Sequence, residues 1–289
     1  MVLYFRRFPR MAILLFTLVL VLIPMVGLQA GTLSTATPIV LYDGTLGTLP
    51  GEQGFQFRTV SPNPSEPSDQ NYLTAENVTM LDTTANRDNL AGYFARDELL
   101  PVLDREAGYT LRFEVQVLAE KHDGSDFNND GLDDRAGFNV IVLSNDTRGV
   151  ELGFWTDRVW AQEGGDDGNL FTQAEGTEFD TSSALVTYEL VVSEDTYTLS
   201  SGNITILTGP LRDYTAFEGP IDPYETPNFI FLGDDSTSAS GQIKLASVEV
   251  MVEEQMPPAT PTPSVTPTPS TPPVPPSNEF EVFLPLLIR

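Results

Sequence analysis

An all-β antiparallel sandwich is the fold class this sequence predicts, and three observations predict it. Tyr109, Leu111, Phe113, Val115 and Val117 alternate without a fault against Thr110, Arg112, Glu114 and Gln116, which is the period of a strand covering a core on one side. Turn-forming residues recur between short alternating runs. From about residue 38 to 254 no stretch keeps a helical period.

The chain opens on a different kind of segment. Arg6, Arg7 and Arg10 precede an apolar run from Met11 to Leu28, and Pro24 interrupts it late. A basic flank followed by such a run is the pattern of a secretory signal helix, residues 1–30, with cleavage expected after Ala30. The competing reading is an uncleaved anchor, because about 18 apolar residues just cross a bilayer. Either way residues 31–254 are expected outside the cell. The chain has no cysteine, so thiol chemistry and zinc-thiolate sites are excluded, and an exported domain must be held by its core or by metal. The formal charge is −26. Nucleic acid and anionic lipid are poor partners for such a chain, and cations are good ones.

Within the body, turn chemistry locates the hairpins. Gly149–Trp155 and Arg158–Gln162 flank Thr156-Asp157, and Tyr188–Val192 and Thr196–Ser200 flank Ser193-Glu194-Asp195. Gly202-Asn203 turns the chain into Ile204–Leu207. Phe229–Leu232 and Ile243–Val252 close the domain. In the last strand Ile243 and Leu245 fall out of phase with Val248, Val250 and Val252, which predicts a bulge near Ala246-Ser247.

The order of these segments sharpens the fold. Gly-Tyr-Thr-Leu-Arg-Phe-Glu-Val, Asp-Asp-Arg-Ala-Gly-Phe-Asn-Val-Ile, Gly-Val-Glu-Leu-Gly-Phe-Trp, Tyr-Glu-Leu-Val-Val and Asn-Phe-Ile-Phe-Leu-Gly-Asp-Asp follow one another along the chain. This succession resembles the concanavalin A-like (laminin G-like) jelly rolls, and in particular the single such domain of bacterial exported choice-of-anchor proteins. The resemblance covers residues 38 to 254. It implies a jelly-roll sandwich and is nearly silent on activity.

The candidate chemistry is concentrated in one loop. Residues 123–135 crowd Asp123, Asp126, Asp130, Asp133 and Asp134 with Asn128 and Asn129, and carboxylates this close repel unless solvent or a cation screens them. Counting from Asp126, side-chain oxygens fall at positions 1, 3, 5 and 9 as Asp126, Asn128, Asp130 and Asp134. Gly131 stands at the sharp turn, and the Leu132 carbonyl is available at position 7. Alternate inward-pointing oxygens with a central glycine wrap one hard cation, so Ca2+ is the expected cofactor. Gly137 stands where an EF-hand has its bidentate glutamate, so the match is to half a motif; the competing reading is a solvated turn. Glu163–Asp167 and Asp234-Asp235 are weaker acidic clusters: either could add ligands to a rim site, and the competing reading is a structural turn.

Aromatic faces stack on sugar rings. Trp160, with Tyr93 or Tyr214, is the expected ligand-binding set on an exposed sheet face, while Trp155 is expected in the core. Enzyme signatures are missing: no Glu-x-Asp-x-x-Glu, Gly-x-Ser-x-Gly or His-Glu-x-x-His string occurs, and His122, the sole histidine, reads as a surface residue.

The chain closes on a Pro/Thr/Ser tract, residues 255–278, expected as a disordered, extended spacer of about 3.1 Å per residue. Residues 279–289 end in an apolar Phe-Leu-Pro-Leu-Leu-Ile too short to span a membrane. A sorting or anchoring tag is one reading and a frayed terminus the other. Together these features predict a secreted or cell-surface protein whose partner is extracellular carbohydrate or a cell-envelope component, with no nucleic-acid partner and no membrane contact beyond the two ends. A structural or adhesive component without a small ligand is the alternative, and a glycan hydrolase or lyase the second.

Overall fold

The computed structural model describes residues 37–96, 99–122, 124–166 and 168–252. The signal helix, the Pro/Thr spacer and the apolar tail predicted above lie outside the described residues. Among the described residues fifteen strands follow in order: β1 Ile39–Asp43, β2 Gln56–Val60, β3 Asp69–Leu73, β4 Val78–Asp82, β5 Leu90–Arg96, β6 Tyr109–Lys121, β7 Asn139–Leu143 and β8 Gly149–Phe154. They continue as β9 Arg158–Gln162, β10 Gln173–Glu178, β11 Val186–Ser193, β12 Thr196–Ser201, β13 Ile204–Pro210, β14 Phe229–Asp234 and β15 Ser240–Val252. Among the described residues no helix is long and apolar enough to cross a membrane.

The strands form two antiparallel sheets. The first runs β13-β12-β11-β6-β15-β4-β3, with β1 also pairing β15, and the second runs β10-β9-β8-β7-β14-β5-β2. The alternation in Tyr109–Val117 is the inner face of β6: those five odd positions are buried, and the even ones are half-exposed. Opposite them, Val140, Val142, Val150, Leu152, Phe154, Ile230 and Leu232 of the second sheet complete one continuous core. Phe113 joins the layers, with its ring 5.1 Å from Tyr188 in a stack and 6.0 Å from Phe154 edge-on. Such pairs add about 0.5–1.5 kcal/mol beyond the area they bury.

The hairpins stand where turn chemistry places them. β8 pairs β9 across Thr156-Asp157, and β11 pairs β12 in register to Ser193↔Thr196, with Glu194 at φ 54 in the turn. The pairing of β15 with β6 shifts between Leu245 and Ser247, so the out-of-phase run is a bulge. It lets one long strand pair β4 through Gln242–Leu245 and β1 through Ser247–Val250.

One difference from the expected two-sided polarity positions the site. Every residue of β7 and β8 is buried, because the second sheet is covered on its outer face as well. There Ile141, Leu143, Phe171, Tyr214, Tyr224 and Phe229 form a second apolar cluster under the segments that follow β9 and β13.

Candidate binding site on the outer face of the second sheet

The acidic loop is held by its own side chains. Asp126 accepts from the amides of Asp130 (3.2 Å) and Gly131 (3.0 Å), Asn128 Oδ1 from Asp130 N (3.1 Å), and Asp130 Oδ1 from Leu132 N (2.8 Å). Gly131, at φ +94, supplies the left-handed turn. Asp126, Asn128 and Asp130 are thus brought together as the spacing predicts. Asp134 is not among them. It is fully buried, its Oδ1 accepts from Gln173 N (2.9 Å) and its Oδ2 from Phe127 N (2.7 Å), so it pins the loop to β10 rather than facing a cation. Leu132 exposes its side chain. Among the described residues no three acidic or histidine side chains are gathered at metal-binding distance. The expected five-donor shell is therefore not assembled, because the carboxylates answer loop amides first.

The residues after this loop cross the outer face of the second sheet as a strap, and three side chains from the sheet catch successive carbonyls. Gln162 Nε2 donates to Asp134 O (3.0 Å), Trp155 Nε1 to Arg135 O (2.9 Å), and Asn139 Nδ2 to Ala136 O (3.0 Å). Beneath the strap the floor is a cross-strand row of pairs, Gly92↔Gly233↔Asn139↔Gly153↔Trp160↔Gly176. A Cβ on Gly153 would lie 2.4 Å from the Trp160 ring, so the indole lies flat on that glycine.

This arrangement corrects the aromatic set expected from the sequence. Trp160 is fully buried between the floor and Trp155, 4.7 Å away. Tyr93 points into the core and donates to Gln70 Oε1 (2.7 Å). Tyr214 is fully buried; its hydroxyl accepts from Glu151 N (3.0 Å) and donates to Gln162 O (2.9 Å), wedged where β8 and β9 stop pairing. None of the three offers a face to solvent. Alternation cannot reveal this, since it marks which residues share a face but not what covers that face. His122 is likewise no free surface residue: it stacks on Trp155 at 3.8 Å and its Nδ1 lies 2.7 Å from Glu120.

Of the residues that carry the charge here, sequence reasoning named Asp235, within the weaker Asp234-Asp235 cluster, and passed over Glu151. Glu151 is 4% exposed, beside Gln162 on the outer face, and accepts from the Tyr224 hydroxyl (2.5 Å). Asp235, just beyond β14, accepts from Asn139 Nδ2 (2.7 Å). Burial pushes the Glu151 carboxyl well above its ordinary range and Asp235 raises it further; burial pushes Asp235 up to about 6, against the pull of the Arg135 guanidinium. Arg135 Nη1 donates to Asp134 O (3.0 Å) and to Phe171 O, and its guanidinium lies 4.7 Å from the centre of the Phe127 ring. Phe127 itself is 59% exposed. Its place inside an acidic loop was the available signal for it. A lone glutamate in an apolar strand was the only signal for Glu151.

A depression of about 530 Å³ lies elsewhere, between Thr156, Asp157, Glu178, Phe179, Asp180 and Ser182. Its Asp180 is engaged by the amides of Ser182 and Ser183. The solvent face of the first sheet is a charge ladder, with Arg112 between Glu189 and Glu249 and Lys244 on Glu76.

No family model matches the chain, and no curated protein matches it. Among solved structures it is similar to the carbohydrate esterase of Shiga toxin-encoding bacteriophage phi24B (10% identity, 76% of this chain and 100% of that chain, TM-score 0.46). It is also similar to a protein of unknown function with a galectin-like fold from Bacillus subtilis (7%, 73% and 95%, 0.43). A third is the exoplasmic/lumenal domain of VIP36 in its Ca2+/Man2-bound form (11%, 77% and 90%, 0.41). At such identity and overlap the sandwich rests on the strand pairing described above, and these proteins add no argument about the site.

Proposed function

We propose that the protein is an exported, surface-displayed binding module whose β-sandwich takes extracellular carbohydrate at the corner formed by the 124–135 loop. The observation that supports this is Phe127: a large aromatic, 59% exposed, held over the Arg135 guanidinium and flanked by the oxygens of Asp126, Asn128 and Asp130. An exposed ring takes the C–H face of a sugar, and neighbouring carboxylates accept from its hydroxyls. Calcium belongs to the same reading. Asp126, Asn128 and Asp130 with the Leu132 carbonyl would supply its oxygens, and a bound ion would hold the loop open toward a ligand. Display follows from the signal segment and from the Pro/Thr spacer with its short apolar tail, in the manner of the choice-of-anchor proteins that the sequence resembles.

The test is a glycan array probed with the full chain, in calcium and in chelator, alongside Phe127→Ala. Binding in calcium that is lost in chelator and lost in Phe127→Ala supports the reading, and an unchanged melting midpoint in that variant shows the loss to be local. Silence of the wild-type chain in both arms overturns it. Weight then moves to a structural or adhesive role, which the charge ladder on the first sheet favours, since that face has no aromatic for a sugar to stack on.

A further inference from the structure

Under the strap, two side-chain oxygens, Asn139 Oδ1 and Gln162 Oε1, are buried without a donor, and two carboxylates, the buried Glu151 and the half-buried Asp235, lie on the same face. The Tyr214 hydroxyl links the backbones of Glu151 on β8 and Gln162 on β9, and Asn139 on β7 is bonded to Asp235. The two amides cannot be turned around. Asn139 Nδ2 already donates to Asp235 Oδ1 and to Ala136 O, and Gln162 Nε2 donates to Asp134 O, all acceptors. The atoms left over are therefore Asn139 Oδ1 and Gln162 Oε1, in residues each about 1% exposed, and neither has a partner. Glu151 has one hydroxyl donor, from Tyr224. A buried acceptor left unmet is destabilising, and two such acceptors near two carboxylates favour positive charge. The Arg135 guanidinium offsets part of the charge of both carboxylates, but its Nη1 donates to the carbonyls of Asp134 and Phe171 rather than to the two unmet oxygens.

We propose that this chamber binds a hard divalent cation, calcium in the first place, through Glu151, Asp235, Asn139 Oδ1 and Gln162 Oε1. An all-oxygen donor set without histidine or cysteine selects calcium or magnesium over zinc or copper, and calcium tolerates an irregular shell that water completes. Trp160 Nε1 is a buried donor that also has no partner, and Trp160 stands on the same floor. The site is distinct from the acidic loop: it shares none of the donors Asp126, Asn128 and Asp130, and it rests on side chains that project from the sheet. It stands or falls independently of sugar binding.

Terbium luminescence tests it on the full chain in metal-free buffer, because an ion in the chamber lies beside Trp160 and Tyr224, which sensitise its emission. The expected result is sensitised emission that calcium chloride competes away. It persists in the double variant Asp126→Asn/Asp130→Asn and falls at least about tenfold in Glu151→Gln and in Asp235→Asn. Gln162→Glu adds a third carboxylate and should tighten calcium binding, a gain that a damaged fold cannot produce. At a hundredfold excess over Kd, calcium should raise the wild-type melting midpoint by about 5 °C or more. Emission lost only in the loop double variant places the ion in the loop and overturns the proposal. No emission and no calcium-dependent midpoint at pH 8 leaves water or a proton as the occupant and overturns it equally.

Discussion

Glu151 and Asp235 give the fold a pH dependence. Burial raises both carboxyls above their ordinary values, Asp235 to about 6. The folded state thus holds their protons more tightly than the unfolded chain does. By linkage, stability increases as pH falls from about 6 toward the ordinary carboxylate range, and the penalty is complete above the folded value. Asp180 is displaced the other way, held down to about 2 by hydrogen bonds from Ser183 and Ser182, and its contribution is present above its unfolded value and lost as pH falls through its own. In chelator the melting midpoint should therefore be higher at pH 5 than at pH 7.5. Asp235→Asn should narrow the gap between midpoints at pH 5 and pH 7.5; a gap as wide as that of the wild-type chain would show that Asp235 is not the titrating group.

At the scale of the element, the outer face of the second sheet depends on what its strands leave out. Gly92, Gly233, Gly153 and Gly176 let two aromatic rings lie on the backbone: Phe231 over Gly92 and Trp160 over Gly153. Gly153→Ala puts a Cβ 2.4 Å from the indole, and overpacking of this kind costs about 1–3 kcal/mol. A blue- or red-shifted tryptophan emission together with a lowered urea midpoint is the expected outcome; an unaltered emission would mean that the indole does not rest there. This layer was hardly legible in the sequence. The alternation of β6 is readable because its outer positions, Arg112 and Glu114 among them, meet water, so polarity reports the face. In β7 and β8 both faces are dry, and Glu151 stands in an apolar run whose period says nothing of the roof above it. β1 to β5 and β10 were not anticipated individually, since their short, polar or half-exposed runs alternate weakly. The bulge at Ala246-Ser247 was readable, because one extra residue inverts the phase of everything after it.

At the scale of the whole molecule, the two sheets close around the ring stack of Phe113, Phe154 and Tyr188. The strands from β1 to β15 bury that core among residues 37–252. A chain cut to residues 37–252 should consequently melt within about 2 °C of the full chain, because the core cluster lies between Leu41 and Val252; a large drop would mean that an end packs on the sandwich. The sequence by itself determined the antiparallel all-β class, the hairpins, the bulge, the acidic loop and the expectation of export. Each of these is local, written in periods of two, turn residues or composition. Only the tertiary structure decided that Trp160, Tyr93 and Tyr214 are buried, that Asp134 serves as a pin, that Asn139 bonds Asp235, and that Glu151 is buried against Tyr224. Those outcomes depend on which segment lies over which face, and that is set by contacts between residues far apart in the chain, to which local pattern is blind.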